Sequence, residues 1–118
     1  MAVVNLLANH PQGRRILIGA ASDESALGAV EALGGAGRTN HAVVVGHDGV
    51  HEALEHIAKP NSPYLGTVAF FPERYGKALV DLVLRLGSGE AFAPSQYIDH
   101  TLIGRHNVQQ YLGRPRLG

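Results

Sequence analysis

The sequence predicts an α/β fold: a three-layer, mostly parallel sheet with helices on both faces. Three observations predict it. Short apolar runs at 16–21, 42–45 and 66–71 each end in polar or aromatic residues. Each run is followed by an amphipathic stretch, and strand-then-helix repetition produces a parallel sheet covered by helices. Glycine and proline clusters separate the units, as turn chemistry requires. In such a sheet the strand ends open on one edge, and ligands bind there. Ser22, Asp23, Asp48, Phe70 and Phe71 all fall at that edge.

The elements follow in chain order. Residues 2–8 carry Val3, Leu6 and Leu7 at helical spacing before Asn9, His10 and Pro11 stop them. They read as the last turns of a helix whose beginning is absent, and so short a helix is marginal alone. Ile16 to Ala21 is apolar nearly throughout, as a strand buried on both faces should be. Ser22 or Asp23 can cap the next helix, because a short oxygen-bearing side chain satisfies free amide hydrogens there. Its apolar face is Ala26, Leu27, Val30 and Leu33, and Gly34, Gly35 and Gly37 end it. Ala42 to Val45 is the second strand. Gly46-His47-Asp48-Gly49 turns the chain into a short helix with Leu54 and Ile57 inward. After a loop bracketed by Pro60 and Pro63, Thr67 to Phe70 is the third strand.

Pro72 suits the first turn of the clearest helix, where its missing amide hydrogen costs nothing. Tyr75, Ala78, Leu79, Leu82, Val83 and Leu86 recur at three and four, opposite a ladder of Lys77, Asp81 and Arg85. Gly87-Ser88-Gly89 closes it. Tyr97 to Ile103 is a final strand at an edge, and the tail beyond Gly104 is polar and rich in Gly, Pro and Arg.

Composition narrows the function classes. A chain of 118 residues holds one domain with one core. Acidic and basic side chains balance at ten each, so no strong field favours nucleic acid or an anionic membrane. There is no cysteine, which removes disulfides and thiolate metal sites. No apolar run approaches the roughly 20 residues of a membrane helix. The N-terminus lacks a basic segment and cleavage site of the signal-peptide kind, so the chain as written is expected to stay cytoplasmic.

Asp23 and Asp48 are the candidate ligand carboxylates, each able to accept hydrogen bonds from ligand hydroxyls. The plain alternative for Asp23 is a helix cap, and for Asp48 an Asp-Gly turn. Phe70 and Phe71 are adjacent and point to opposite faces of a strand. One belongs to the core and the other can offer a flat apolar face to a sugar ring; spacing does not choose between them. His47, beside Asp48, can touch a ligand. His51 and His56 invite comparison with a zinc-protease helix, but that motif sets its histidines four apart. Five apart places them about 140° around the helix, so no metal site is expected. There is no phosphate-cradling loop, nucleophile elbow or acid/base dyad, and no catalytic residue or cofactor is expected.

At these same segments the chain resembles the C-terminal lobe of the type I periplasmic sugar-binding proteins of bacterial ABC importers, the ribose-binding-protein-like group. Ser22-Asp23-Glu24-Ser25-Ala26-Leu27-Gly28-Ala29 is similar to that family's Asn-Asp-x-x-Ala-Leu-Gly-Ala stretch. Val45-Gly46-His47-Asp48-Gly49 is similar to its Val-Gly-Phe-Asp-Gly turn. Gly66 to Pro72 with Tyr75-Gly76, and Leu102-Ile103 with Asn107-Val108, resemble the strand, helix start and closing segment that follow. The resemblance implies half of a flavodoxin-like, two-lobed receptor that closes on a sugar by hinge motion and delivers it to an ABC permease. It places ligand contacts at the positions matching Ser22, Asp48 and Phe70. Many members carry Asn and Gln where this chain has Ser22 and Phe70. Both differences remove amide hydrogen-bonding capacity and favour a ligand with fewer hydroxyls on that side, or stronger stacking.

The resemblance also implies an absence: the N-terminal lobe, and the first strand of this one. On this reading residues 1–112 are a partial C-terminal lobe, incomplete at its N-terminal end, and 113–118 a loose tail. The chain is then a truncated receptor, from a fragment, a split gene or a misplaced start. Its family works in the periplasm. Its half-site binds sugar weakly, its open sheet edge favours self-association, and neither nucleic acid nor membrane insertion is expected. The alternative is the effector-binding domain of a lactose-repressor-type transcriptional regulator, which shares the fold. Such regulators tend to carry Asp-Asp after the second strand, where this chain has Asp48-Gly49. A third reading, a small flavodoxin-like enzyme or response-regulator-like domain, needs a phosphoacceptor or cofactor loop at the strand ends.

Overall fold

The computed structural model describes residues 2–11, 15–91 and 93–113. The elements run α1 (Ala2–Asn9), β1 (Ile16–Gly19), α2 (Asp23–Gly35), β2 (Ala42–Asp48), α3 (His51–Ala58), β3 (Tyr64–Ala69), α4 (Tyr75–Gly87), β4 (Thr101–Gly104) and α5 (Gln109–Leu112). The strands form one sheet in the order β1-β2-β3-β4. The first three are parallel, with Ile18 opposite Val44 and His47 opposite Val68. β4 runs antiparallel to β3, with Ile103 opposite Thr67. The loose tail expected at 113–118 falls, from residue 114 on, outside the described residues.

Parallel neighbours joined by right-handed crossovers put successive helices on the same side of the sheet. α2 packs on β2 and α3 on β3, while α1 touches α2 and α5 touches α3. These four make one layer. The core lies beneath it: Ala26, Leu33, Val44, Leu54, Ile57, Tyr64 and Ile103 are all buried. On the opposite face Leu17, Val43, Leu65 and Leu102 are exposed. The expectation of helices on both faces is therefore met on one face only among the described residues. The α/β class and the mostly parallel sheet stand.

α2 begins as a capped helix should. Ser22 has extended backbone and its hydroxyl accepts from the Ser25 amide at 3.2 Å. Serine is thus the cap, and Asp23 is released for another task. β2 and β3 are longer than the apolar runs suggested, because β2 continues through Gly46, His47 and Asp48 and β3 starts at Tyr64.

Two expectations fail along the chain after β3. Pro72 opens a 3-10 turn, Pro72–Arg74, and α4 starts only at Tyr75. α4 has no buried residue, and Leu79, Val83 and Leu84 are at least 60% exposed. The final strand spans only Thr101–Gly104, and Tyr97 and Ile98 lie exposed before it. Residues 72–91 and 93–99 form an arm reaching away from the sheet, and the molecule measures 62 × 30 × 23 Å.

Candidate functional site

The parallel register brings the sequence-predicted residues to one end of the sheet. Ser22 and Asp23 follow β1, His47 and Asp48 end β2, and Phe70 and Phe71 follow β3. What each side chain does there differs.

Asp23 is fully buried and faces inward. Its Oδ2 accepts from the Gly49 and Val50 amides at 2.7 and 2.9 Å, and its Oδ1 from the Tyr64 and Thr67 hydroxyls, both at 2.6 Å. The expectation that Asp23 offers a carboxylate to a ligand is corrected by this geometry. Four donors already occupy its lone pairs, and a buried charge needs just such satisfaction. Burial pushes the Tyr64 hydroxyl well above its ordinary pKa, and the bond to the Asp23 carboxylate adds to the shift. Gly46 closes the cluster. A Cβ there would collide with the Tyr64 hydroxyl and Asp23 Oδ1, so only glycine leaves room for the bond.

The clamp acts on Asp48. Its φ is 123°, a conformation that L residues rarely adopt, and the two amides that follow are the ones Asp23 holds. Strained backbone of this kind costs on the order of 1–3 kcal/mol and persists where surrounding structure fixes it. The Asp48 side chain remains 47% exposed, with Oδ1 3.3 Å from His47 Nδ1. Gly49, at φ 79°, has no space for a Cβ against Ala69.

The structure separates the two phenylalanines. Phe70 lies against His47, ring centroids 4.4 Å apart, and against His100 at 5.9 Å. Phe71 turns the other way, packing on the core and stacking on Tyr111 at 5.8 Å, with the Arg74 guanidinium 4.2 Å above its ring. The expectation that Phe71 is a ligand contact is therefore corrected: it is the member of the pair that packs on the core. Ser22 is half-buried at the same edge, and its hydroxyl also lies 3.1 Å from that of Ser25. His100 was missed by sequence reasoning. It stands beside Phe70 only because β4 pairs antiparallel to β3, which no local spacing reveals. Beneath Asp48 a cavity of about 150 Å³ reaches Phe71, Ile103 and Tyr111, half or less of an ordinary ligand pocket of roughly 300–1,000 Å³.

Three comparisons define the class. The chain is 34% identical over 96 residues to a protein of Rhizobium meliloti assigned as a rhizopine-binding protein, covering 79% of this chain and 30% of that one. It superposes on an ABC transporter solute-binding protein from Agrobacterium vitis, solved with bound allitol, with a TM-score of 0.84 and 32% identity. That match covers 93% of this chain and 38% of the other. An ABC sugar transporter subunit from Rhodobacter sphaeroides gives a TM-score of 0.79 and 34% identity over 90% of this chain and 38% of its own. No protein-family model matches the chain.

In sequence and fold, then, the chain is similar to part of a lobe of the type I periplasmic sugar-binding kind, and the solved relatives it matches are ABC transporter solute-binding proteins. It spans about a third of the length of these relatives. They are transport proteins, which favours the transport reading over the regulator.

Proposed function

We propose that the described residues form one jaw of a sugar- or polyol-binding site, with Ser22, His47, Asp48 and Phe70 as its contacts. The observation that carries this is that Asp48 and Phe70 both stand against His47 at the carboxyl end of the sheet. Asp48 presents a half-exposed carboxylate on a turn that Asp23 fixes. Phe70 presents a ring within the His47–His100 group. A carboxylate accepts from hydroxyls and an aromatic ring covers the C–H face of a sugar, the mixture of sparse polar and broad apolar contacts that small-molecule sites use. The allitol bound by the Agrobacterium vitis relative is a ligand of this chemistry. Residues 1–112 would work with a companion lobe that closes on the ligand by hinge motion, handing it to an ABC permease in the periplasm.

One jaw alone supplies part of the hydrogen bonds and no water-excluding closure, so its affinity is low. The test is an amide-resolved NMR titration of the 118-residue chain with allitol. Weak binding with shifts centred on Ser22, His47, Asp48 and Phe70 is expected, and Asp48→Ala should raise the dissociation constant by about tenfold, the worth of a charge-assisted hydrogen bond. Shifts clustered elsewhere, or an Asp48→Ala titration identical to wild type, would remove the proposal.

A further inference from the structure

Of the four proposed contacts, Ser22, His47, Asp48 and Phe70, two can change charge, and those two face each other. His47 Nδ1 lies 3.3 Å from Asp48 Oδ1. Neighbours in a regular strand point to opposite faces, so adjacency alone does not produce this contact. The φ of 123° at Asp48 breaks the alternation and leaves its carboxylate beside the ring.

Histidine is the side chain that ordinarily changes charge between pH 5 and 8. A neutral imidazole carries one N–H, on either nitrogen, whereas a protonated ring must present an N–H at both. The protonated His47 ring therefore donates from Nδ1 to Asp48 Oδ1. That carboxylate is the group offered to ligand hydroxyls, so the imidazolium takes an oxygen the ligand needs and offsets its charge. The ring also lies 4.4 Å from the Phe70 centroid. A cation within about 6 Å of an aromatic centroid is attracted to it, which holds the imidazolium against the ring that would cover a sugar.

Other charged and titratable groups surround the pair. His100 faces Phe70 from the segment before β4, 5.9 Å from its centroid. Arg74 and Asp99 line a hollow with Phe70, and the Arg74 guanidinium stands over Phe71. His51 of α3, Tyr111 of α5 and Glu73 line the cavity beneath Asp48, and His51 Nε2 is 3.3 Å from Glu55 Oε1. Asp23 is buried among its four donors. Of the three histidines in this group, His47 is the one whose ring nitrogen meets an Asp48 oxygen.

The geometry points to control of ligand binding by pH through His47: the protonated ring ties up Asp48 Oδ1 and lowers affinity for a polyol, and loss of that proton to solvent frees the carboxylate. Coupling of this kind is reciprocal, so bound ligand drives the proton off His47. This inference rests on the reading of these residues as a polyol site.

The test titrates the 118-residue chain with allitol by amide-resolved NMR at about pH 5 and about pH 8, the limits of the ordinary histidine range. Allitol has no group that titrates there, and carboxylates in general titrate below it. The dissociation constant should be about threefold higher at the acid end, the size a part-exposed ion pair supports. At about pH 6.5, the ordinary histidine midpoint, added allitol should move the His47 ring resonances toward their alkaline positions, a readout that needs no variant. His47→Gln, uncharged throughout, should abolish the pH dependence, while His51→Gln and His100→Gln should retain it. Equal dissociation constants at the two pH values, with shifts still centred on Ser22, Asp48 and Phe70, would overturn this inference and leave the polyol site standing. A pH dependence that survives in His47→Gln, or vanishes in His51→Gln or His100→Gln, would overturn it by assigning the titration elsewhere. Absence of allitol binding at both pH values would remove the polyol site and this inference together.

Discussion

Asp23 accepts four hydrogen bonds in a fully buried setting, and two of the donors are the amides that follow Asp48. The residue proposed to touch ligand, Asp48, and the residue that sets its position are thus separate. Asp23→Asn replaces one acceptor oxygen by a donor group. It should cost about 1–3 kcal/mol, the penalty for buried donors left unsatisfied, read as a lower urea midpoint at unchanged slope. Tyr64 adds a pH dependence. Its folded-state pKa is raised, so with rising pH the unfolded chain releases the proton first. Stability is then complete below about pH 10, the ordinary tyrosine value, and declines above it. Denaturant melts should show that alkaline decline in wild type and a shallower one in Tyr64→Phe. At this scale the sequence offered candidates without assignments. Ser22 and Asp23 were equivalent as caps on the page. Tyr64 and Thr67 lie more than forty positions from their acceptor. Adjacent Phe70 and Phe71 had to diverge, but which one joined the core depended on Tyr111 reaching it.

Helices α2 and α4 have the same length and opposite fates. Both were legible from apolar spacing and glycine stops. Leu33 in α2 is fully buried, and Leu33→Ala should cost about 2–5 kcal/mol by opening a cavity. Leu84 in α4 is 66% exposed, and Leu84→Ala should alter stability by no more than about 0.5 kcal/mol. Thermal or urea melts of the two variants check this contrast. The ion ladder read along α4 is only partly formed. Lys77 bonds Asp81 at 2.6 Å, while Arg85 turns to Glu90 at 2.9 Å. Such exposed pairs contribute little. The local pattern records that α4 has an apolar side; it does not record what lies against that side.

The whole molecule is longer than its chain length suggests. A compact domain of this size has a radius of gyration of roughly 13.5 Å, against 18.5 Å here. The arm accounts for the difference. Small-angle scattering of the 118-residue chain, extrapolated to zero concentration, should read near 18.5 Å; a value near the compact figure would mean that α4 folds back on its own sheet. By itself the sequence determined the α/β class, the order of the βα units and the edge where Ser22, Asp48 and Phe70 gather, because periodicity, caps and turn glycines are local and strand ends follow from them. Only the tertiary structure decided that Asp23 clamps a turn, that Phe71 packs inward, that His100 joins Phe70, and that α4 buries no side chain among the described residues. Those outcomes rest on hydrogen bonds and packing between residues far apart in the chain, and no window of sequence contains both partners.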